Sequence, residues 1–115
     1  MASPFDMPFS KVYPLLIAKA QRKGRTLQEV YAVTTWLTGY SQQQLEQMLQ
    51  SSLTYGDFLR QAPHPNENRR KIQGSVCGVR LETIDDPLMW ELRCLDKLVD
   101  DLAKGKPLEK ILNPK

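Results

Sequence analysis

The fold is decided by residues 86–105, DPLMWELRCLDKLVDDLAKG. Asp86 is a suitable helix cap, Pro87 fits the first helical position, and Gly105 supplies a helix stop. Between them, apolar residues recur at the spacing of one helical face: Leu88, Leu92, Leu95, Val99 and Leu102. We therefore predict a long amphipathic helix, whose apolar face has to be covered by the other helices or by a second copy of the chain.

Two further helix starts carry capping-box patterns. Thr26 precedes Glu29 at the required spacing, and Gly39 follows as a left-handed stop, so a helix is predicted from about residue 26 to 38. Ser41 and Gln44 repeat the pattern and predict a third helix.

Weaker signals predict three more helices. Helical spacing of apolar residues before Gly24 indicates a first helix, with Pro14 as its first residue. A short helix is expected from Thr54 to about Ala62, and another begins at Pro107.

Residues 63–84 are the least regular part of the chain. Two prolines end the preceding helix, and Gly74 and Gly78 weaken any regular element, so irregular or short extended structure is expected. The predicted fold is a mainly α, compact bundle of five or six helices forming a single domain over residues 1–115. Its parts are a lead-in at 1–9, N-terminal helices at about 10–62, the segment 63–84 and C-terminal helices at 86–112.

Composition excludes several classes of protein. The 115 residues are 41% hydrophobic and 25% charged, as in globular domains. One histidine and two cysteines are too few for a disulfide framework or a histidine-rich metal site, so no cofactor or metal is expected. The sequence has no apolar run of membrane-spanning length and no secretory signal at its start, which predicts a cytoplasmic protein without a membrane partner.

Charge alternates in blocks along the chain, with a net charge of +3. Residues 26–59 contain three acids and no base, whereas residues 60–80 contain five bases, including Arg69, Arg70 and Lys71 in succession. These three bases are a candidate anion-binding patch. Alternatively, acidic and basic faces meet solvent or neutralise each other on folding.

Catalysis finds little support in the sequence. Cys77 would serve as a nucleophile only if His64 approached it in space, whereas a cysteine beside Val76 is more often a small packing residue. No catalytic residue is therefore predicted, and a thiol-dependent enzyme using Cys77 is an alternative of last resort.

A nucleic-acid alternative rests on residues 26–49. Gly39, Tyr40 and Ser41, followed by Leu45 and Met48, match the turn of helix-turn-helix DNA-binding proteins. The second helix contains glutamines but no base, so phosphate attraction would have to come from residues 22–25. A short connection between helices also suits any small bundle.

The leading hypothesis is a protein-interaction or self-association module. Aromatic residues exceed what one core needs, and catalytic clusters are lacking. The possible interaction residues are Trp36, Tyr40, Trp90, Arg69, Arg70 and Lys71. The partner would be another protein or a second copy of the chain.

Several blocks of the sequence occur together in one family. They include Val12-Tyr13-Pro14, Lys23-Gly24-Arg25-Thr26, Trp36-Leu37-Thr38-Gly39-Tyr40-Ser41, Val76-Cys77-Gly78-Val79-Arg80 and Leu95-Asp96-Lys97-Leu98. In this order they resemble domain-of-unknown-function family 2200, over about residues 8–112. The resemblance implies a stand-alone cytosolic protein of one domain and brings no activity, cofactor or catalytic residue. Residues 63–70 do not follow the family pattern.

Overall fold

Helices make up most of the computed structural model, which describes residues 3–76 and 78–114. The α-helices are α1 (Phe9–Gln21), α2 (Leu27–Thr38), α3 (Gln42–Met48), α4 (Tyr55–Arg60), α5 (Pro87–Ala103) and α6 (Leu108–Ile111). Short 3-10 helices span Pro4–Asp6, Glu67–Lys71 and Leu81–Thr83, and strands β1 (Ser75–Val76) and β2 (Val79–Arg80) form an antiparallel hairpin. The predicted mainly α fold is confirmed.

Helix α5 is the element against which most others pack. Its apolar face contacts α1, α2, α4, α6 and β1. The predicted cap is present, since Asp86 Oδ1 accepts a hydrogen bond from Leu88 N at 3.0 Å. Leu95, Val99 and Leu102 are fully buried, as their spacing predicts.

An aromatic cluster joins α1 to α4. The Phe9 ring centroid lies 4.8 Å from that of Tyr13 and 4.5 Å from that of Phe58. Tyr55 and Tyr40 flank Phe58 at 5.4 and 5.3 Å. Since such ring pairs add about 0.5–1.5 kcal/mol each beyond area burial, the cluster fixes α1 firmly against α4.

Helix α1 begins at Phe9, so the prediction that Pro14 starts it is wrong. Pro14 lies inside the helix, where it leaves the Ser10 carbonyl without its usual donor at a cost of about 3 kcal/mol. The turn before Pro14 forms because Phe9 and Tyr13 are fully buried, each contributing about 2–3 kcal/mol. Pairing of Phe9 N with Leu53 O at 2.8 Å also holds this turn.

Residues 63–84 contain more local structure than their glycines suggest. Ser75 pairs with Arg80, and Val76 pairs with Val79, through a turn that includes Gly78 at φ +78°. The short extended structure expected here is this hairpin, in which the segment pairs with itself.

The segment 63–66 covers the end of α2. His64 N and Asn66 N donate to the carbonyl oxygens of Thr38 and Leu37, each at 3.1 Å. Gly39 ends α2 at φ +82°, and a side chain at Gly39 would lie 2.7 Å from the His64 backbone nitrogen. The turn between α2 and α3 therefore needs glycine for its conformation and for its closeness to His64.

Gly39→Ala should destabilise the protein much more than Gly24→Ala. Both glycines have φ +82°, but nothing lies within 4 Å of a side chain at Gly24. Gly24→Ala should cost about 1–2 kcal/mol for the left-handed backbone, and Gly39→Ala about 1–3 kcal/mol more for the steric conflict. Urea unfolding of both variants measures the difference, and equal losses would contradict the close approach.

Two buried phenols differ in their hydrogen bonding. The hydroxyl groups of Tyr13 and Thr34 are bonded at 2.6 Å, whereas Tyr55 OH has no protein partner within residues 3–76 and 78–114. Tyr13→Phe should therefore lower the free energy of unfolding by about 1 kcal/mol, and Tyr55→Phe should not lower it. Denaturant unfolding of the pair checks this, since both changes remove the same atom. A larger loss for Tyr55→Phe would show that its hydroxyl is bonded.

Candidate interaction surface

Three of the predicted site residues, Arg69, Arg70 and Trp90, lie together where the 3-10 helix Glu67–Lys71 meets the start of α5, and Lys71 ends that 3-10 helix. We call Arg69, Arg70, Lys71 and Trp90 the Trp90 surface. Asn66 caps the 3-10 helix, with its Oδ1 accepting from Asn68 N at 2.9 Å.

Arg69 and Arg70 both approach the indole of Trp90. The guanidinium carbon lies 4.5 Å from the ring centroid for Arg70 and 5.8 Å for Arg69. Trp90 itself is half-buried, and it packs against the core. A cation held over an aromatic face is attracted by the ring quadrupole, so the indole orients these side chains.

The two arginines differ in what else they contact. Arg69 Nε donates to Glu91 Oε1, and Arg69 Nη1 donates to the Asn66 carbonyl, both at 2.9 Å. Arg70 and Lys71 are exposed, and neither forms an ion pair with any residue in 3–76 or 78–114. Arg69 is therefore a structural link between the segment and α5, while Arg70 and Lys71 present positive charge to solvent.

Trp36 and Tyr40 lie outside the Trp90 surface. Half-buried Trp36 lines an open groove of about 590 Å³ beside Tyr31, Thr35 and Gln42. Tyr40 belongs to the core, with 7% of its surface exposed and its hydroxyl donating to the Phe58 carbonyl at 2.8 Å. The six predicted residues do not form one continuous site.

The helix pair α2 and α3 has the predicted caps and turn. Gln42 and Gln43 are exposed at the start of α3. Arg25, one of the bases that would supply phosphate attraction, is instead bound to Glu29 and to the Lys106 carbonyl. Charge available for DNA binding near this pair is thereby reduced to Arg22 and Lys23.

Of the two residues considered for catalysis, the structure describes His64. His64 is exposed, and it contacts α2 through its backbone nitrogen. Cys77 lies outside the described residues, so its predicted roles stay predictions. Among residues 3–76 and 78–114, no three His, Cys, Asp or Glu side chains are grouped as metal ligands would be.

Sequence reasoning missed two features, one at the Trp90 surface and one on α1. Glu91 was not among the predicted site residues, yet it accepts a hydrogen bond from Arg69, 22 positions away in the sequence. The other is Leu15 on α1, which has 64% of its surface exposed. Its helical position away from the face of Tyr13, Leu16 and Ala20 could have identified it.

Family comparison agrees with the motifs quoted above. The profile of a family described as "Uncharacterized protein conserved in bacteria (DUF2200)" matches residues 4–113. The chain belongs to this family. A crystal structure described as uncharacterized protein SP1917 is similar, with a TM-score of 0.92 and 51% identity over 97% of this chain and 93% of that one. No curated protein matches the chain.

Membership of the family confirms the resemblance, and it assigns no activity to the surface. Within the described part of the chain, no helix combines the length and apolarity that a membrane span requires.

Cys94, on the buried side of α5, should resist alkylation in the folded protein. Burial raises the pKa of its thiol to about 12, with the nearby Glu91 carboxylate adding to the effect. At pH 8 only about one thiol in ten thousand would then be ionised. Mass spectrometry of iodoacetamide-treated Cys77→Ser protein isolates Cys94, which should react only in urea. Rapid native labelling would contradict this burial.

Proposed function

We propose that the protein is a non-catalytic interaction module whose Trp90 surface binds a carboxylate-bearing segment of a partner protein in the cytoplasm. The observation that carries the proposal is Arg70, whose guanidinium lies over Trp90 at 4.5 Å. The side chain is exposed and forms no ion pair within the described residues. It is a positive charge already placed on an aromatic ring.

The contact with the Trp90 ring leaves N–H donors of Arg70 available for a partner. A guanidinium uses its face for the ring and its N–H groups, which lie in its plane, for a partner. Two parallel N–H donors match the two oxygens of a carboxylate. Because the indole already restricts Arg70, less conformational entropy is lost when a carboxylate binds.

Lys71 and Arg69 have supporting roles in the proposed site. Exposed Lys71 adds a second charge that attracts an acidic segment and accelerates encounter. Arg69 is held by Glu91 and by the Asn66 carbonyl, so it keeps the 3-10 helix against α5. The expected partner segment is acidic, with an apolar group to cover the exposed part of Trp90.

The test uses Trp90 as its own reporter. Trp36→Phe leaves Trp90 as the sole tryptophan, and its fluorescence is followed while an Asp/Glu-rich 12-residue peptide is added. We expect saturable binding that weakens with salt, and none to the same peptide with Asn and Gln. Arg70→Gln should weaken binding at least about tenfold, the value of a charge-assisted hydrogen bond.

The matched control is Arg60→Gln on α4. Arg60 has 55% of its side chain exposed and pairs only with Asp57 among the described residues, so its loss removes the same charge away from Trp90. Equal effects of the two variants would contradict the proposal. Duplex DNA and single-stranded RNA are titrated in parallel at low and near-physiological salt. Binding that is lost in Arg22→Glu but kept in Arg70→Gln would favour the helix-turn-helix alternative.

A further inference from the structure

A second exposed surface runs along α1, away from the face that packs against α5. Lys11, Leu15, Ala18 and Arg22 are all exposed and follow the spacing i, i+4, i+7 and i+11. At about 100° per residue they lie within roughly 60° of one another on the helix. Leu15 has 64% of its surface exposed, so this stripe places an apolar side chain between two bases.

The charge of the stripe has one sign. Residues 7–28 contain five bases and no acid. Lys19 is paired with Asp100 and Arg25 with Glu29. Lys11 and Arg22 form no ion pair within residues 3–76 and 78–114, so both ends of the stripe carry charge that folding leaves unmatched.

We propose that this α1 stripe (Lys11, Leu15, Ala18 and Arg22) is a docking surface for an acidic amphipathic helix of a partner protein. Lys11 and Arg22 are about 16 Å apart along the axis, at 1.5 Å per residue. The partner helix carries carboxylates at that separation and apolar side chains between them, which cover Leu15 and pack closely over Ala18. The stripe shares no residue with the Trp90 surface.

Charge distinguishes this partner from a second copy of the chain. In a symmetric pair of α1 stripes, parallel or antiparallel, every charged group is a base, so like charges would meet at both ends. A membrane surface is also a poorer fit, because interfacial helices insert a broad apolar face. The apolar face of α1, with Phe9, Tyr13 and Ala20, is already buried in the core.

The test uses a labelled synthetic helix followed by fluorescence anisotropy. The peptide has two glutamates eleven positions apart and leucines on the same face between them. We expect binding that falls with salt and is lost when both glutamates become glutamine. Leu15→Asp should weaken binding about tenfold or more, by losing apolar contact and adding repulsion. Lys11→Gln with Arg22→Gln should weaken it similarly and remove the salt dependence.

The matched control is the double variant Arg60→Gln with Arg80→Gln, which loses the same charge at two exposed side chains that belong to neither the α1 stripe nor the Trp90 surface. It should bind the helix like the unaltered protein, and a loss equal to that of the Lys11 and Arg22 pair would overturn the proposal. Binding to phosphatidylserine vesicles and the oligomeric state by sedimentation are measured for the same variants. Vesicle binding that depends on Leu15, or a dimer that Leu15→Asp dissociates, would also overturn it.

Discussion

Burial of one face of α5 is the interaction on which the rest of the structure depends. The helix has 17 residues, and its apolar face is covered along its length by α1, α2, α4, α6 and the hairpin. Each of those elements is too short to be stable alone in water, since helices below about 12–15 residues are marginal. Their order in space is therefore set by how they cover α5, and the Trp90 surface is positioned by the same contact.

Long-range ion pairs bring the basic and acidic segments of the sequence together in the fold. Lys19 Nζ lies 3.1 Å from Asp100 Oδ1, which joins the basic N-terminal block to the acidic α5. Burial alone would raise the pKa of Asp100, but hydrogen bonds from Lys104 and Lys19 hold it below its usual range. Arg69 and Glu91 make the corresponding link at the other end of α5. Exposed charges of both signs form no ion pair within the described residues, and those at Arg70 and along α1 are positive.

Local chemistry explains which parts of the fold could be predicted. Thr26, Ser41 and Asp86 specify helix starts through bonds to residues two or three positions away, so a sequence pattern identifies them. The prediction that α1 begins at Pro14 was wrong because the turn before Pro14 is stabilised by the contact of Phe9 with Phe58 on α4, far away in the sequence. The Trp90 surface was predicted as separate residues, but its assembly depends on contacts about 20 positions apart. No spacing rule connects such residues.

The segment that crosses the end of α2 limits where the chain can be lengthened. Its two backbone hydrogen bonds to Leu37 and Thr38 satisfy carbonyl groups that a helix end leaves open, so it serves α2 as a cap supplied from a distance. A loop that caps a helix cannot accept an inserted tag or domain without uncapping it. At the turns of Gly24 and Gly105, an added side chain would have nothing within 4 Å. For fusion or circular permutation, those two turns are the places to open this chain, and the segment 63–66 is not.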